Sequence, residues 1–263
     1  MAASLVGGLI ANQHPADKIT VAEPDADKLK QHKQTFNIHT STDNNQAIAG
    51  SDVVVLAVKP QILQQVCRDI ADTVQNKKPL IISIAAGILS TDIDRWLGGQ
   101  CALVRCMPNT PALLQAGATG LYANEKVNDM QKNVAENILS AAGMTLWVNE
   151  ESLLDAVTAV SGSGPAYFFL FIEAMQKAGE KLGLDAESAQ KLSLQTALGA
   201  ARMAIEGDDA PATLRNKVTS KGGTTEAAIN YFTNNDFEKL VDGALTAARD
   251  RATELAKILG KDQ

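Results

Sequence analysis

Up to about Val148, short β-branched and apolar runs alternate with amphipathic stretches, and beyond it the strand signal stops. That change of period constrains the fold more than any other feature. Ile19 to Ala22, Val53 to Val58, Leu80 to Ile84, Leu103 to Met107, Thr119 to Tyr122 and Thr145 to Val148 read as strands. Asp25 to Lys33 and Gln61 to Val74 have the three-and-four apolar spacing of helices that cover a sheet. Such alternation predicts an α/β fold, a Rossmann-like doubly wound sheet. The uninterrupted run from Val53 to Val58 reads as a strand buried on both faces. Residues 149–263 read as helix throughout, punctuated by Pro165, Asp185 and the pair Gly207 and Pro211. The expected division is 1–148 for the sheet domain and 149–263 for an all-α domain.

Tyr167 to Ile172 are six consecutive apolar residues, which cover every side of a helix. A small helical domain has little interior in which to hide them, so burial against a second copy of the chain is expected. The run is closed by Glu173 and is far short of the ~20 apolar residues of a membrane span, so no membrane partner is expected. A net charge of -6 argues against nucleic acid, whose backbone rewards clustered Lys and Arg. The partner is then a small molecule. Cys67, Cys101 and Cys106 are few, odd in number and lack metal-ligand spacing, which fits a reducing cytoplasm and no metal. His14, His32 and His39 all precede residue 40, so a proton donor in the later chain must be of another kind.

Doubly wound sheets bind nucleotides at the carboxyl ends of their strands. Ala57-Val58-Lys59-Pro60 and Ala85-Ala86-Gly87 follow two of the strands, and their small residues allow a flat ligand to approach the backbone. Lys59 reads equally as a solvated lysine. A third strand ends in Arg105-Cys106-Met107-Pro108-Asn109-Thr110-Pro111, where an immobilised Asn109 offers a donor and an acceptor, or simply makes a turn. In the helical half, Ser161-Gly162-Ser163-Gly164-Pro165 and Thr219-Ser220-Lys221-Gly222-Gly223-Thr224-Thr225 read as two Gly-rich hydroxyl loops before helix starts. Each serves as a cap or as part of an anion cradle.

The strings AVKP, SIAAG, VRCMPNTPAL, VSGSGPAYFF and VTSKGGTTEAAI, in this order, resemble the pyrroline-5-carboxylate reductase family along essentially the whole chain. The resemblance implies reduction of 1-pyrroline-5-carboxylate to L-proline with NADPH or NADH. It further implies a cofactor domain followed by a helical domain that forms a homodimer, with dimers assembling into larger rings such as decamers. By that likeness Asn44, Ala57, Val58, Lys59, Pro60, Ala86, Gly87 and Asn109 serve the cofactor, Asn44 on the adenosine side and Asn109 near the nicotinamide. Ser220, Gly223, Thr224 and Thr225 hold the substrate, and the Thr225 hydroxyl faces the imine nitrogen as the catalytic group.

The chain departs from the pattern at two places. Lys221 stands where many relatives have Pro, and the opening Met1-Ala2 resembles the tail of a Gly-Asn-Met-Ala turn. The expectation is that Met1 is an internal methionine, that about a dozen residues with an apolar strand and G-x-G precede it, and that lack of this strand leaves two neighbours with open edges. Two rivals stand beside this reading. A β-hydroxyacid dehydrogenase needs a lysine one turn after a Gly-x-Gly loop, where this chain has Pro165 to Phe168; a non-catalytic cofactor-binding relative is supported only by the missing glycine motif. Glu23 and Asp25, with no basic residue before Lys28, lean the expectation towards NADH.

Overall fold

The computed structural model describes residues 1–261. In chain order it runs α1 (Ala2–Ala11), β1 (Thr20–Ala22), α2 (Ala26–Phe36), β2 (His39–Ser41), α3 (Asn44–Ala49), β3 (Val53–Leu56) and α4 (Pro60–Lys77). It continues through β4 (Leu80–Ser83), α5 (Ser90–Trp96), β5 (Leu103–Met107), β6 (Gly117–Ala123), α6 (Asp129–Ser140), β7 (Gly143–Trp147) and α7 (Leu153–Val157). Five helices follow: α8 (Gly164–Lys181), α9 (Ala186–Glu206), α10 (Pro211–Lys217), α11 (Thr224–Asn234) and α12 (Phe237–Leu259). Local chemistry explains many ends. The Asp25 carboxylate accepts hydrogen bonds from the amides of Asp27 and Lys28 and so starts α2, and those bonds hold its pKa below the usual carboxylate value. Pro60, with its fixed φ and no amide donor, opens α4.

Packing divides the chain into two compact units, 1–163 with 247–263, and 164–246. The first therefore extends past the expected boundary at 148. Its closing segment is tied in where Thr253 Oγ1 donates to Asp155 Oδ2 at 2.7 Å.

In the first unit β3, β4, β5, β6 and β7 form one sheet in that order, and β1 pairs with β2 as a separate parallel ribbon. Among the described residues β1 pairs only with β2 and β3 only with β4, so β1 and β3 each stand at an edge. The edge position corrects the reading of Val53 to Val58. Val53, Val54 and Val55 are only half-buried, whereas every residue of the inner strand β4 is buried. A second difference is that β5 and β6 run antiparallel. The connection from Pro108 to Ala116 is too short for the crossover helix that parallel neighbours require, and it holds only a single 3₁₀ turn, Thr110–Leu114.

Alternate residues of β4 and β5 feed a core on each face. Ile81 and Leu103 meet Leu63, Cys67, Ile70, Ile93 and Trp96 from α4 and α5, while Ile82, Val104 and Cys106 meet Leu5, Leu121, Ala135 and Leu139. All three cysteines are buried. Burial pushes the Cys67 thiol up to about 12, and burial with the nearby Asp94 carboxylate pushes Cys101 up to about 11; burial raises Cys106 as well. Thiolate, the reactive form, is thereby suppressed about 100-fold or more near neutrality, so none of the three is expected to react with an aromatic disulfide at pH near 8 until the protein is denatured. Rapid labelling of the native protein would contradict this placement.

The second unit consists of α8 to α11 and the first part of α12. Phe171, Phe232 and Phe237 join α8, α11 and α12, with ring centroids 6.2 and 5.4 Å apart. Around them the apolar surface stays open: Phe168 is 70% exposed and Phe169 65%, and Leu192, Leu194 and Leu198 on α9 are exposed too. A single copy does not bury the all-round apolar helix.

Candidate active site

The carboxyl ends of β3 and β4 lie side by side because the strands are parallel neighbours. From β3 the chain passes through Ala57, Val58 and Lys59 into α4; from β4 it passes through Ile84, Ala85, Ala86 and Gly87 towards α5. Ala57, Lys59 and Ala86 are exposed, and Pro60 and Gly87 are half-buried. Gly87 has φ +71, a conformation side chains strain to adopt, and its Cα side faces Leu255 and Leu259 of α12. Lys59 is the residue before α4 and has no acceptor with which to cap it, so a long helix begins with its amino end and a lysine together, which suits an anionic group. A bare shelf of small residues beside that end fits a dinucleotide. Asn44 opens α3 just after β2, and Asp43 rather than Asn44 caps that helix.

Asn109, at the end of β5, is buried and committed to protein. Its Nδ2 donates to the Ser161 carbonyl at 3.0 Å and its Oδ1 accepts from the Ala118 amide at 2.9 Å. It braces the β5–β6 connection against the segment after α7. That segment also corrects the sequence reading: Thr158–Gly162 is a π-helical turn continuing from α7, not a loop. The Ser163 amide donates to the Thr158 carbonyl, and the hydroxyls of Thr158 and Ser161 donate to the carbonyls of Leu154 and Val157. The wide turn frees the Ser161 carbonyl for Asn109, and its hydroxyls serve their own backbone, so this stretch offers less of an anion cradle than its composition suggests.

The second hydroxyl loop is built as read. In the second unit the chain leaves α10, passes Thr219, Ser220, Lys221 and Gly222, and enters α11 with Gly223 as its N-cap. Gly222 takes φ +73, and the Gly223 amide donates to the Ser220 carbonyl at 2.9 Å, closing a tight turn. No side chain caps α11 at Gly223, but Glu226 reaches back to the Gly222 amide at 2.7 Å. Thr224 and Thr225, the first two helical residues, therefore present their hydroxyls around a helix amino end. Ser220 and Thr224 are exposed and Thr225 is half-buried.

Sequence reading passed over one cluster. Arg105, in the middle of β5 and only 6% exposed, donates from Nη1 to Glu151 Oε1 at 2.7 Å. Glu151 also accepts from the Ser90 amide at 2.6 Å and the Ser90 hydroxyl at 2.7 Å. An arginine inside an otherwise apolar strand was the available signal, since a buried guanidinium demands a counter-charge. Among the described residues no group of three or more His, Cys, Asp or Glu could hold a metal ion, and no helix is long and apolar enough to cross a membrane.

Comparison with known proteins agrees with these features. Residues 151–255 match the family model described as pyrroline-5-carboxylate reductase dimerisation, and residues 1–87 match NADP oxidoreductase coenzyme F420-dependent. A pyrroline-5-carboxylate reductase of Pseudomonas aeruginosa is 53% identical over 261 residues, covering 99% of this chain and 95% of that protein. The solved structure of a pyrroline-5-carboxylate reductase from Coxiella burnetii superposes with a TM-score of 0.94 at 47% identity, covering 97% of this chain and 94% of that one. That of the Plasmodium falciparum enzyme with NADP bound gives 0.83 at 29% identity, covering 97% and 94%. With its sheet loops, its hydroxyl-rich α11 start and relatedness over nearly its whole length, the chain belongs to the pyrroline-5-carboxylate reductase family.

Proposed function

We infer that the protein reduces 1-pyrroline-5-carboxylate to L-proline with NADPH or NADH, the closing step of proline biosynthesis. The observation that carries this is the 53% identity to a pyrroline-5-carboxylate reductase across 99% of the chain. A reduced nicotinamide, when bound, supplies the hydride. Ala57, Val58, Lys59, Pro60, Ala86 and Gly87 would receive it on the small-residue shelf, with Asn44 on the adenosine side. Asn109 acts near the nicotinamide by bracing the loop, because its amide is already engaged.

Ser220, Gly223, Thr224 and Thr225 would hold the substrate: the amino end of α11 and its hydroxyls neutralise the carboxylate and fix the ring. The Thr225 hydroxyl donates to the imine nitrogen and so keeps the adjoining carbon electrophilic. The imine is itself basic, so no histidine is required. Functionally, residues 1–148 form the cofactor domain and 149–263 the substrate and dimerisation domain. A ring of dimers, such as a decamer, in the cytoplasm completes the reading. Lysine first recurs after Gly164 at Lys177, which disfavours the hydroxyacid dehydrogenase alternative.

Purified protein should oxidise NADPH or NADH only when pyrroline-5-carboxylate is added, with proline as product. Cofactor oxidation that ignores the imine, or none at all, would refute the assignment. The structure also tempers the lean towards NADH. Glu23 stands just beyond β1, but Lys28 Nζ lies 3.7 Å from its Oε1 and 3.6 Å from Asp25 Oδ2. The pair is substantially exposed, so its net effect on a 2'-phosphate is small. Glu23→Ser should raise the NADPH to NADH ratio of specificity constants by only about two- to fivefold, equivalent to ~0.4–1 kcal/mol. An unchanged ratio in steady-state kinetics would remove Glu23 from cofactor selection.

A further inference from the structure

We propose that Glu151 is a positioning residue for the cofactor, setting the loop after β4 against β5 through its bonds to Ser90 and Arg105. The inference rests on the assignment of Ala86 and Gly87 to the cofactor. Ser90 is the first residue of α5 and lies three positions beyond Gly87; the preceding Leu89 provides no cap. Glu151, more than sixty residues away in the chain, supplies the missing acceptor to the Ser90 amide and takes its hydroxyl as well. A carboxylate at a helix amino end is favoured by charge and geometry together. The same carboxylate binds Arg105, which stands four residues before Asn109 on β5. One side chain thus fastens two of the three strand-end segments that carry cofactor candidates, those after β4 and β5.

Close packing holds only part of this loop, through the buried Ala85 and Ile88. At its far end, Leu89 and Glu151 line an open cleft of about 490 Å³ that also meets Asp155, Thr253 and Lys257, so there the start of α5 is held by hydrogen bonds. Charge-assisted bonds to a buried guanidinium are short and directional, as suits a part that sets position. Glu151→Gln keeps the shape and one acceptor but removes the charge facing Arg105. Ser90→Ala leaves the Arg105–Glu151 pair intact and loosens only the loop.

The test is direct titration of the folded protein with NADPH and NADH, alongside melting curves and steady-state kinetics. Glu151→Gln is expected to raise the Kd of both cofactors about tenfold, and Ser90→Ala about threefold in the same direction. At saturating cofactor, kcat and the KM for pyrroline-5-carboxylate should stay within about twofold of wild type, because the substrate groups are untouched. A merely structural role would lower the melting temperature and leave cofactor Kd unchanged below it, and that result would overturn the proposal. If Glu151→Gln does not fold, an unchanged Kd in Ser90→Ala overturns it alone. Titration needs no substrate: a wild type that binds cofactor but spares the imine defeats the proposed reaction and leaves this inference standing. A wild type that binds neither cofactor defeats both.

Discussion

Thr225→Ala is expected to lower kcat by roughly 30- to 1000-fold, about 2–4 kcal/mol, with the oxyanion-hole donor as the guide to one transition-state hydrogen bond. The position is the second helical residue of α11, half-buried, and the turn before it is fixed by Gly222, Gly223 and Glu226 without the Thr225 side chain. The variant should therefore melt and assemble as wild type does. Thr225→Ser, which keeps the hydroxyl, should recover most of the rate. No histidine in the helical half could take over, since the last is His39. Single-turnover kinetics with saturating cofactor provide the check, and a rate constant in the alanine variant equal to wild type would leave Thr225 with no part in the chemistry.

Phe169→Glu should dissociate the homo-oligomer. Burying one large apolar side chain contributes about 1.5–3 kcal/mol, and a two-fold interface counts it twice, so dimer Kd should weaken by roughly 10²- to 10⁴-fold. The charge adds a desolvation cost in the same direction. Phe169 is 65% exposed in a single copy, in the segment matched by the family's dimerisation model, while the internal contacts of the unit run through Phe171. Sedimentation velocity across a dilution series reads the outcome. An oligomer of unchanged mass would move the interface elsewhere on the helices.

The strands with strong apolar character were legible in the sequence: β4, β5, β6 and β7 lie within two residues of where their patterns place them. β2, His39–Ser41, was not, because three polar residues carry no pattern and form a strand only through pairing with β1. Composition said that Val53 to Val58 is a strand but could not say that it stands at an edge. The π turn was hidden for a related reason. Ser and Thr suggest loops when their hydroxyls are imagined facing solvent, and here the hydroxyls of Thr158 and Ser161 bond back along the helix. For the candidate site, local motifs point to the loops after β3 and β4 and to the α11 start. The Glu151 cluster joins three distant segments, and its glutamate sits in a run, Glu150-Glu151-Ser152, that looks like solvated surface.

The first unit takes in residues from both ends of the chain, and this has a consequence for biosynthesis. Gly87 is covered by Leu255 and Leu259, and Asp155 is bonded by Thr253. During vectorial synthesis the sheet emerges early, while the segment that covers the Gly87 loop is still untranslated. The helices of the second unit can form in the interval from local contacts, so they mature before the unit that precedes them is finished. A nascent chain arrested short of Thr253 would leave the Gly87 loop uncovered, so chaperones and proteases would meet that loop as well as the open apolar helices.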